Sequence, residues 1–359
     1  PESETVVKHH LVRPSLRSLL QSILDSDEYR HRTQAARTPA AASAATPHPG
    51  LWGRAGHAAP GVLVALDDTA PGVAAALRAG CLVRETAAVV TGALEGEALQ
   101  RLLLPHAAGA DLWITTAEQP AVESLFRARH REGARLLRVP QLRFDAFHPD
   151  VCGAVHRGTG RASRLRYHSA IAVWAYRQGL DVADTVRLFR HDTYAALGYL
   201  DAWPAAVQAL QQCFERSDLR DGLQPWLAHV QRNGCFMHTP DHPRTDAIVS
   251  LAKLIAQKAG LAWQQDPVPG ELADDLNGVI WPVYPEIAEA LGLGASSMTW
   301  KLVAQDLYLQ GAEAFVAHCF ETYRGEGIAP ADLEPRLEPR LARSNGLHAT
   351  LSRLTGRTP

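Results

Sequence analysis

Methionine is scarce in this chain, 2 of 359 residues, whereas histidine (16) and tryptophan (8) are plentiful, so a histidine-based site has much to draw on. The five cysteines, Cys81, Cys152, Cys213, Cys235 and Cys319, show no paired metal spacing and leave one over if disulfides formed. That usage points to a reduced, cytoplasmic protein. No uninterrupted apolar run approaches the ~20 residues of a membrane span, and no signal-peptide pattern opens the sequence. The formal net charge of -2 excludes an overall polycation that would hold nucleic acid or an anionic membrane. A hydrolase-type nucleophile elbow, a glycine-rich dinucleotide fingerprint and a Walker loop are also missing.

What is present is the balance of a globular protein with a full core: 46% apolar and 21% charged residues. The length suits one large domain or two ordinary ones. Starting at Pro1 without a methionine, the chain reads as a processed or excised piece of something longer. Residues 1–35 carry one helix over Ser15 to Arg32, with Leu16, Leu19, Leu20, Ile23 and Leu24 at helical spacing, and form an N-terminal arm. Residues 36–60 are an Ala/Pro-rich linker. From Gly61, short apolar runs (62–66, 81–90, 112–115, 136–139) alternate with helices over 72–79, 95–104 and 121–130. That rhythm predicts an α/β fold: a mostly parallel sheet flanked by helices on both faces. After residue 160 the pattern turns helical (167–178, 203–216, 223–232, 245–259, 284–291, 311–324), giving a helix-rich C-terminal half. Residues 61–325 are expected to form the main domain and 326–359 a charged, loosely held tail.

In open α/β sheets ligands sit beyond the carboxyl ends of the strands. Three short stretches there or nearby pair histidine with an acid or hydroxyl: His148 with Asp150, Tyr167-His168-Ser169, and His238 through His242 with Asp241. General acid–base work needs a histidine whose tautomer a neighbour fixes. If Pro243 opens the helix over 245–259, His242 lies beside its positive end and stays neutral. The bland reading is that His238 and Asp241 cap the turn through main-chain amides. A metal site from His148, Asp150, His238 and His242 is the less favoured reading, because Pro240 breaks the helix that would align His238 with His242, and no metal is assigned. Arg157, Arg161, Arg164 and Arg166 surround a glycine pair, a composition suited to phosphate or nucleotide diphosphate, or else to a solvated loop. Cys235 is either a nucleophile beside His238 or a buried inert thiol.

The stretches Ala110 through Thr115, Phe144 through Asp150, Tyr167 through Ile171, Leu197 through Asp201, Phe236 through Pro243 and Trp281 through Ala288 run in one order over residues 61–325. In them the chain resembles the capsular polysaccharide biosynthesis family of the WcbI type. That resemblance implies an α/β protein that binds coenzyme A or acetyl-CoA and acts as an acetyltransferase on a sugar precursor. Members usually carry Gly-Asn-Cys-Gln at the end of the first strand; here the segment reads Leu66-Asp67-Asp68-Thr69. Asp68 cannot form a thioester, but it can orient a histidine or act as a base.

Three readings follow. The first is a coenzyme A-dependent acyltransferase acting on a hydroxyl of a sugar or similar polar acceptor in polysaccharide or secondary-metabolite biosynthesis. His148 or His242 is the base in that reading, with Asp150 or Asp241 holding the ring and Tyr167 or main-chain amides stabilising the oxyanion. His168, His238 and Asp68 complete the catalytic candidates, and the four arginines with Thr69 and Ser169 hold the cofactor. The second is a non-catalytic module that binds coenzyme A, a nucleotide or a glycan. The third is an esterase-type hydrolase. Expected partners are a small-molecule or glycan acceptor and a biosynthetic protein met through the N-terminal arm, with no nucleic acid and no membrane span.

Overall fold

The computed structural model describes residues 59–356 except 93, 95, 269, 295, 303–306 and 337–345, so the expected arm and nearly all of the linker lie outside the described residues. Four strands, β1 (Gly61–Leu66), β2 (Glu85–Val90), β3 (Leu112–Thr116) and β4 (Arg135–Val139), form a parallel sheet in the order β2-β1-β3-β4. Three helices make the crossovers: α1 (Ala70–Gly80), α2 (Gly96–Ala107) and α3 (Pro120–Arg129). The chain leaves β1 toward β2, then returns to the other side of β1 as β3. The strand order therefore reverses between β1 and β3, and a crevice opens beyond their carboxyl ends.

Every residue of β1 is buried, which accounts for its continuous apolar run Gly-Val-Leu-Val-Ala-Leu. Alternate side chains enter two cores. Val62, Val64 and Leu66 join Val73 and Leu77 of α1 on one face. Leu63, Ala65 and Trp113 meet Leu99 and Leu103 of α2 and Val122 and Leu125 of α3 on the other. The first face is the larger because the C-terminal half packs onto it.

That half contains α4 (Ala170–Arg177), α5 (Val182–Val186), α6 (His191–Ala196), α7 (Trp203–Glu215), α8 (Leu223–Val230), α9 (Thr245–Ala259), α10 (Pro285–Ala290), α11 (Gly311–Gly325) and α12 (Gly346–Thr355). Gly72 of α1 lets α9 pack close against it: a Cβ there would lie 3.0 Å from Ile248. Leu251 and Ile255 of α9 are at most 1% exposed, so truncating either to Ala costs about 2–5 kcal/mol. Gly260, at φ 75°, stops the helix in the left-handed conformation that favours glycine. The helix starts two residues later than Pro243 would have it. Arg244 occupies the N-cap, while His242 and Pro243 form a short strand, so His242 is not the residue at the helix's positive end.

Smaller sheets complete the fold. Strand β5 (Val151–His156) lies between β6 (His168–Ser169) and β11 (Leu333–Arg336), both antiparallel to it. Strands β7 (Met237–Thr239) and β8 (His242–Pro243) make a bulged hairpin, and β9 (Thr299–Leu302) pairs with β10 (Leu307–Gln310). The segment after residue 326 is not a loose tail where it is described. Strand β11 pairs with β5, and α12 buries Leu347 and Leu351 in the main core. Pro335 tolerates this position because β11 is an edge strand. Among the described residues no helix is long and apolar enough to cross a membrane.

Candidate functional site

The turn that closes β1 sets the first part of the site. The main-chain amide and hydroxyl of Thr69 donate to Asp67 Oδ1 at 3.0 and 2.6 Å, and Gln141 donates to Asp67 Oδ2 at 3.2 Å. Asp67 is thereby committed to the turn, and Thr69, also buried, with it. Asp68 is the free arm. Its Oδ2 accepts from Arg166 Nη2 at 2.5 Å and lies 3.5 Å from His242 Nε2. The Arg166 hydrogen bond holds the Asp68 carboxyl below the ordinary carboxylate range, partly opposed by burial.

The second part comes from the β7–β8 hairpin. Two main-chain bonds fix it: Phe144 donates to the Pro240 carbonyl at 2.7 Å, and Trp281 to the His238 carbonyl at 2.8 Å. At its tip the Tyr167 hydroxyl donates to Asp241 Oδ1 at 2.6 Å, and Thr239 donates to the same oxygen at 2.9 Å. Tyr167 has only one proton, so toward His242 Nε2, 3.4 Å away, it presents an oxygen lone pair. The two rings meet edge to face, 5.9 Å between centroids, and Arg166 sits over the Tyr167 ring. His242 itself is buried, with Nδ1 unpartnered.

A second His–Asp pair stands beside the first. His238 Nε2 lies 2.8 Å from Asp274 Oδ2. Burial pulls the His238 pKa down, and the Asp274 carboxylate pulls it up by less. Asp68 and Asp274 both line a small cavity between the starts of α1 and α9, together with Thr245, Ile248, Leu272 and Leu276. Asp274 was not among the residues singled out from the sequence. It sits in a loop with no motif, and the acidic run Glu271 to Asp275 was the only signal.

The structure thus brings together Asp68, Arg166, Tyr167, His238, Asp241 and His242. Other candidates it places differently. His148 lies behind the hairpin at 2% exposure, near Arg244, His238 and Asp241. Neither ring nitrogen makes a hydrogen bond of normal geometry, and burial lowers its pKa to about 3, with a main-chain group of Trp281 opposing. Asp150 does not hold that ring. Fully buried, it accepts from the hydroxyls of Tyr199 and Tyr284 at 3.0 and 2.8 Å and from the Ile171 amide at 3.1 Å. It therefore ties the start of α4 to two distant turns. His168 is also structural: its Nδ1 meets the Tyr323 hydroxyl at 2.8 Å, and burial lowers its pKa to about 4. Ser169 caps α4 by accepting from the Ala172 amide at 3.0 Å and is fully buried, so it faces no cofactor.

The four arginines also separate. Arg157 and Arg161 are exposed around the turn after β5, where the Arg157 amide donates to the Asp332 carbonyl. Arg164 pairs with Glu326 at 3.1 Å, whose side chain is 2% exposed. Arg166 alone of the four touches the site residues named above. Cys235 has the inert character of a buried thiol: burial raises its pKa to about 11, and Sγ donates to the Met237 carbonyl. Nor do His238 and Asp241 simply cap the turn, since their side chains engage other side chains. Among the described residues no three His, Cys, Asp or Glu side chains are grouped to hold a metal.

The open parallel sheet flanked by helices defines the class: an α/β protein, with Asp68 and His242 meeting beyond the carboxyl end of β1. The family model described as the polysaccharide biosynthesis enzyme WcbI matches residues 113–264. A solved structure of WcbI, described as a novel polysaccharide biosynthesis enzyme and as native protein without a disulfide bond between coenzyme A and one of its cysteines, has the same fold. It is 16% identical, with a TM-score of 0.56 over 82% of this chain and 99% of that one. Among curated proteins none matches. The resemblance carried by the six sequence stretches is borne out by the family match and the shared fold.

Proposed function

We propose that this chain is a coenzyme A-dependent acyltransferase that moves an acyl group from the thioester directly to a hydroxyl of a sugar or similar polar acceptor. The observation that carries this reading is the convergence of His242, Asp68, Tyr167 and Arg166 at the carboxyl end of β1. The coenzyme A named for the structurally similar WcbI supports the choice of donor.

The chemistry needs no thiol. The acceptor oxygen attacks the thioester carbonyl while its proton passes to His242 Nδ1, the ring nitrogen without a partner, since Nε2, which faces the Asp68 carboxylate and a Tyr167 lone pair, carries the ring's own proton. The carbon–sulfur bond then breaks, and the leaving thiolate takes that proton from the imidazolium. Asp68, 3.5 Å from Nε2, and the Tyr167 oxygen fix which ring nitrogen carries the resting proton. Arg166, more than half exposed, is placed to meet a phosphate of the donor while it also holds Asp68. His242 replaces His148 as the base because His148 is sealed behind the hairpin.

The absence of an ionised cysteine from these site residues favours a second reading, a non-catalytic binding module. Both are tested by following thiol release from acetyl-CoA with and without methyl glycosides as acceptors. Acceptor-dependent release with sequential kinetics and no acyl-enzyme burst is the expected result. Binding of acetyl-CoA without any release would establish the module instead.

A further inference from the structure

Helices α2 and α3 cover the sheet face that carries the smaller core, and they leave a groove of about 350 Å³ between them. Leu99 and Leu125, both buried, form its floor, and Gln100, Ala121, Ser124 and Ala128 line its sides. Ala121, Ser124 and Ala128 follow one another at helical spacing, so α3 offers a strip of small side chains that another helix can approach closely. Leu104, one turn beyond Gln100 on α2, is 40% exposed. The sequence predicts a helix over Ser15 to Arg32 whose stripe Leu16, Leu19, Leu20, Ile23 and Leu24 has only polar residues at the other positions from Ser15 to Asp25. Five aliphatic side chains on one helical face need cover. The two surfaces match in length: as helix, Leu16 to Leu24 and Ala121 to Arg129 each rise by about 12 Å.

We infer that the N-terminal segment Ser15 to Arg32 docks its aliphatic stripe into the groove between α2 and α3 of the same chain. The route is short. The described chain begins beside the amino end of β1, where the Gly61 amide donates to Asp111 Oδ2 at 2.8 Å. Arg131, two residues after the Arg129 that closes the groove, pairs with the same carboxylate at 2.7 Å. Groove and entry point therefore share one end of the sheet. The about 26 residues from Thr33 to Ala58 span about 25–30 Å as a flexible linker, longer than the about 18 Å of α2. Such a tether holds the segment at an effective concentration on the order of millimolar, with which a second copy of the chain would have to compete. The charges fit a seat parallel to α2 and α3: Arg13 and Arg17 lie toward Glu97 at the start of α2, and Asp25, Asp27 and Glu28 toward Arg129. Docking there is independent of the acyl-transfer chemistry.

The test uses the full chain with photoreactive p-benzoylphenylalanine in place of Gln100, on the rim of the groove, or of Glu321, exposed on α11. Photolysis and peptide mass mapping should join position 100 to residues 15–32 of the same chain, about tenfold or more above the yield from position 321. Leu20→Asp combined with Leu24→Asp should remove that adduct. Without the probe, the same double variant should exchange its α2 and α3 amides about fivefold or more faster than the parent, with α9 unchanged as the sign that the body stays folded. Loss of the adduct, or faster exchange confined to α2 and α3, supports docking. Adducts at twice the chain mass would put a second copy in the groove, and equal yields from positions 100 and 321 would mean chance collision. Either result overturns the inference, as does a double variant identical to the parent in both readouts.

Discussion

Asp150→Asn should become steadily more favourable to stability, relative to the parent, as pH rises. Asp150 is fully buried, and burial raises its carboxyl from the ordinary 3.8 to about 6, against the pull of its hydrogen-bond donors. The folded chain therefore holds this proton more tightly than the unfolded chain does. The resulting contribution to stability is fully present below about pH 4 and is lost as pH rises through about 6. The gap from 3.8 to about 6 corresponds to about 3 kcal/mol. Asparagine has nearly the same shape and no such proton, so relative to the parent it should gain about that much between pH 4 and pH 7. Buried His148 and His168 also lose their neutral state in acid, but they do so in both chains and cancel in the difference. Urea unfolding of both proteins at half-unit pH steps measures the effect. Parallel stability curves would refute the argument, because they would mean that Asp150 binds no extra proton in the folded state. Asp150→Ala is the control. It lacks the same proton, so its difference from the parent should show the same rise between pH 4 and pH 7, starting about 3 kcal/mol or more lower because the Tyr199 and Tyr284 hydroxyls and the Ile171 amide lose this acceptor.

Three further outcomes are expected. His242→Gln should lower acceptor-dependent thiol release by about 100-fold or more, whereas His148→Leu should lower it far less; comparable losses would return His148 to the reaction. Arg166→Gln should weaken acetyl-CoA binding and its salt dependence more than Arg164→Ala does, as read by calorimetry at two salt concentrations, because Arg166 lies beside Asp68 and Tyr167 whereas Arg164 is held by Glu326. Gly80→Ala would drive a Cβ to 2.5 Å from the Trp263 ring and should destabilise the chain by about 1–3 kcal/mol, with a shift in tryptophan fluorescence; an unshifted spectrum and unchanged stability would mean that the ring moves aside freely.

The elements legible in the sequence are those whose reasons are local. The runs that became β1, β3 and β4 stand out because both sheet faces are covered, and α7, α9 and α11 stand out because one stripe of each faces the core. Strand β11 carried no such mark: Leu333-Glu334-Pro335-Arg336 is charged and contains a proline, and only its distant partner β5 makes it a strand. The site was half legible for the same reason. Histidine next to an acid in sequence suggested His148 with Asp150 and His242 with Asp241. In the folded chain the carboxylates nearest the site imidazoles come from elsewhere: Asp68 for His242 and Asp274 for His238. Periodicity reports which face a residue takes, whereas a hydrogen bond between loops is decided by the packing of the elements that carry them.

The pairing of β11 with β5 also bears on the order in which the molecule matures. The parallel sheet and the β5–β6 pair need only neighbours close along the chain, but the other edge of β5 waits for a partner about 180 residues downstream, and contacts of that span form late. Because the segment leading out of β5 delivers Arg166 and Tyr167, the cleft should be among the last parts to become rigid. During refolding, hydrogen exchange at β1 and β3 should slow before exchange at β5 does, so that a newly made chain acquires its scaffold before it acquires its chemistry.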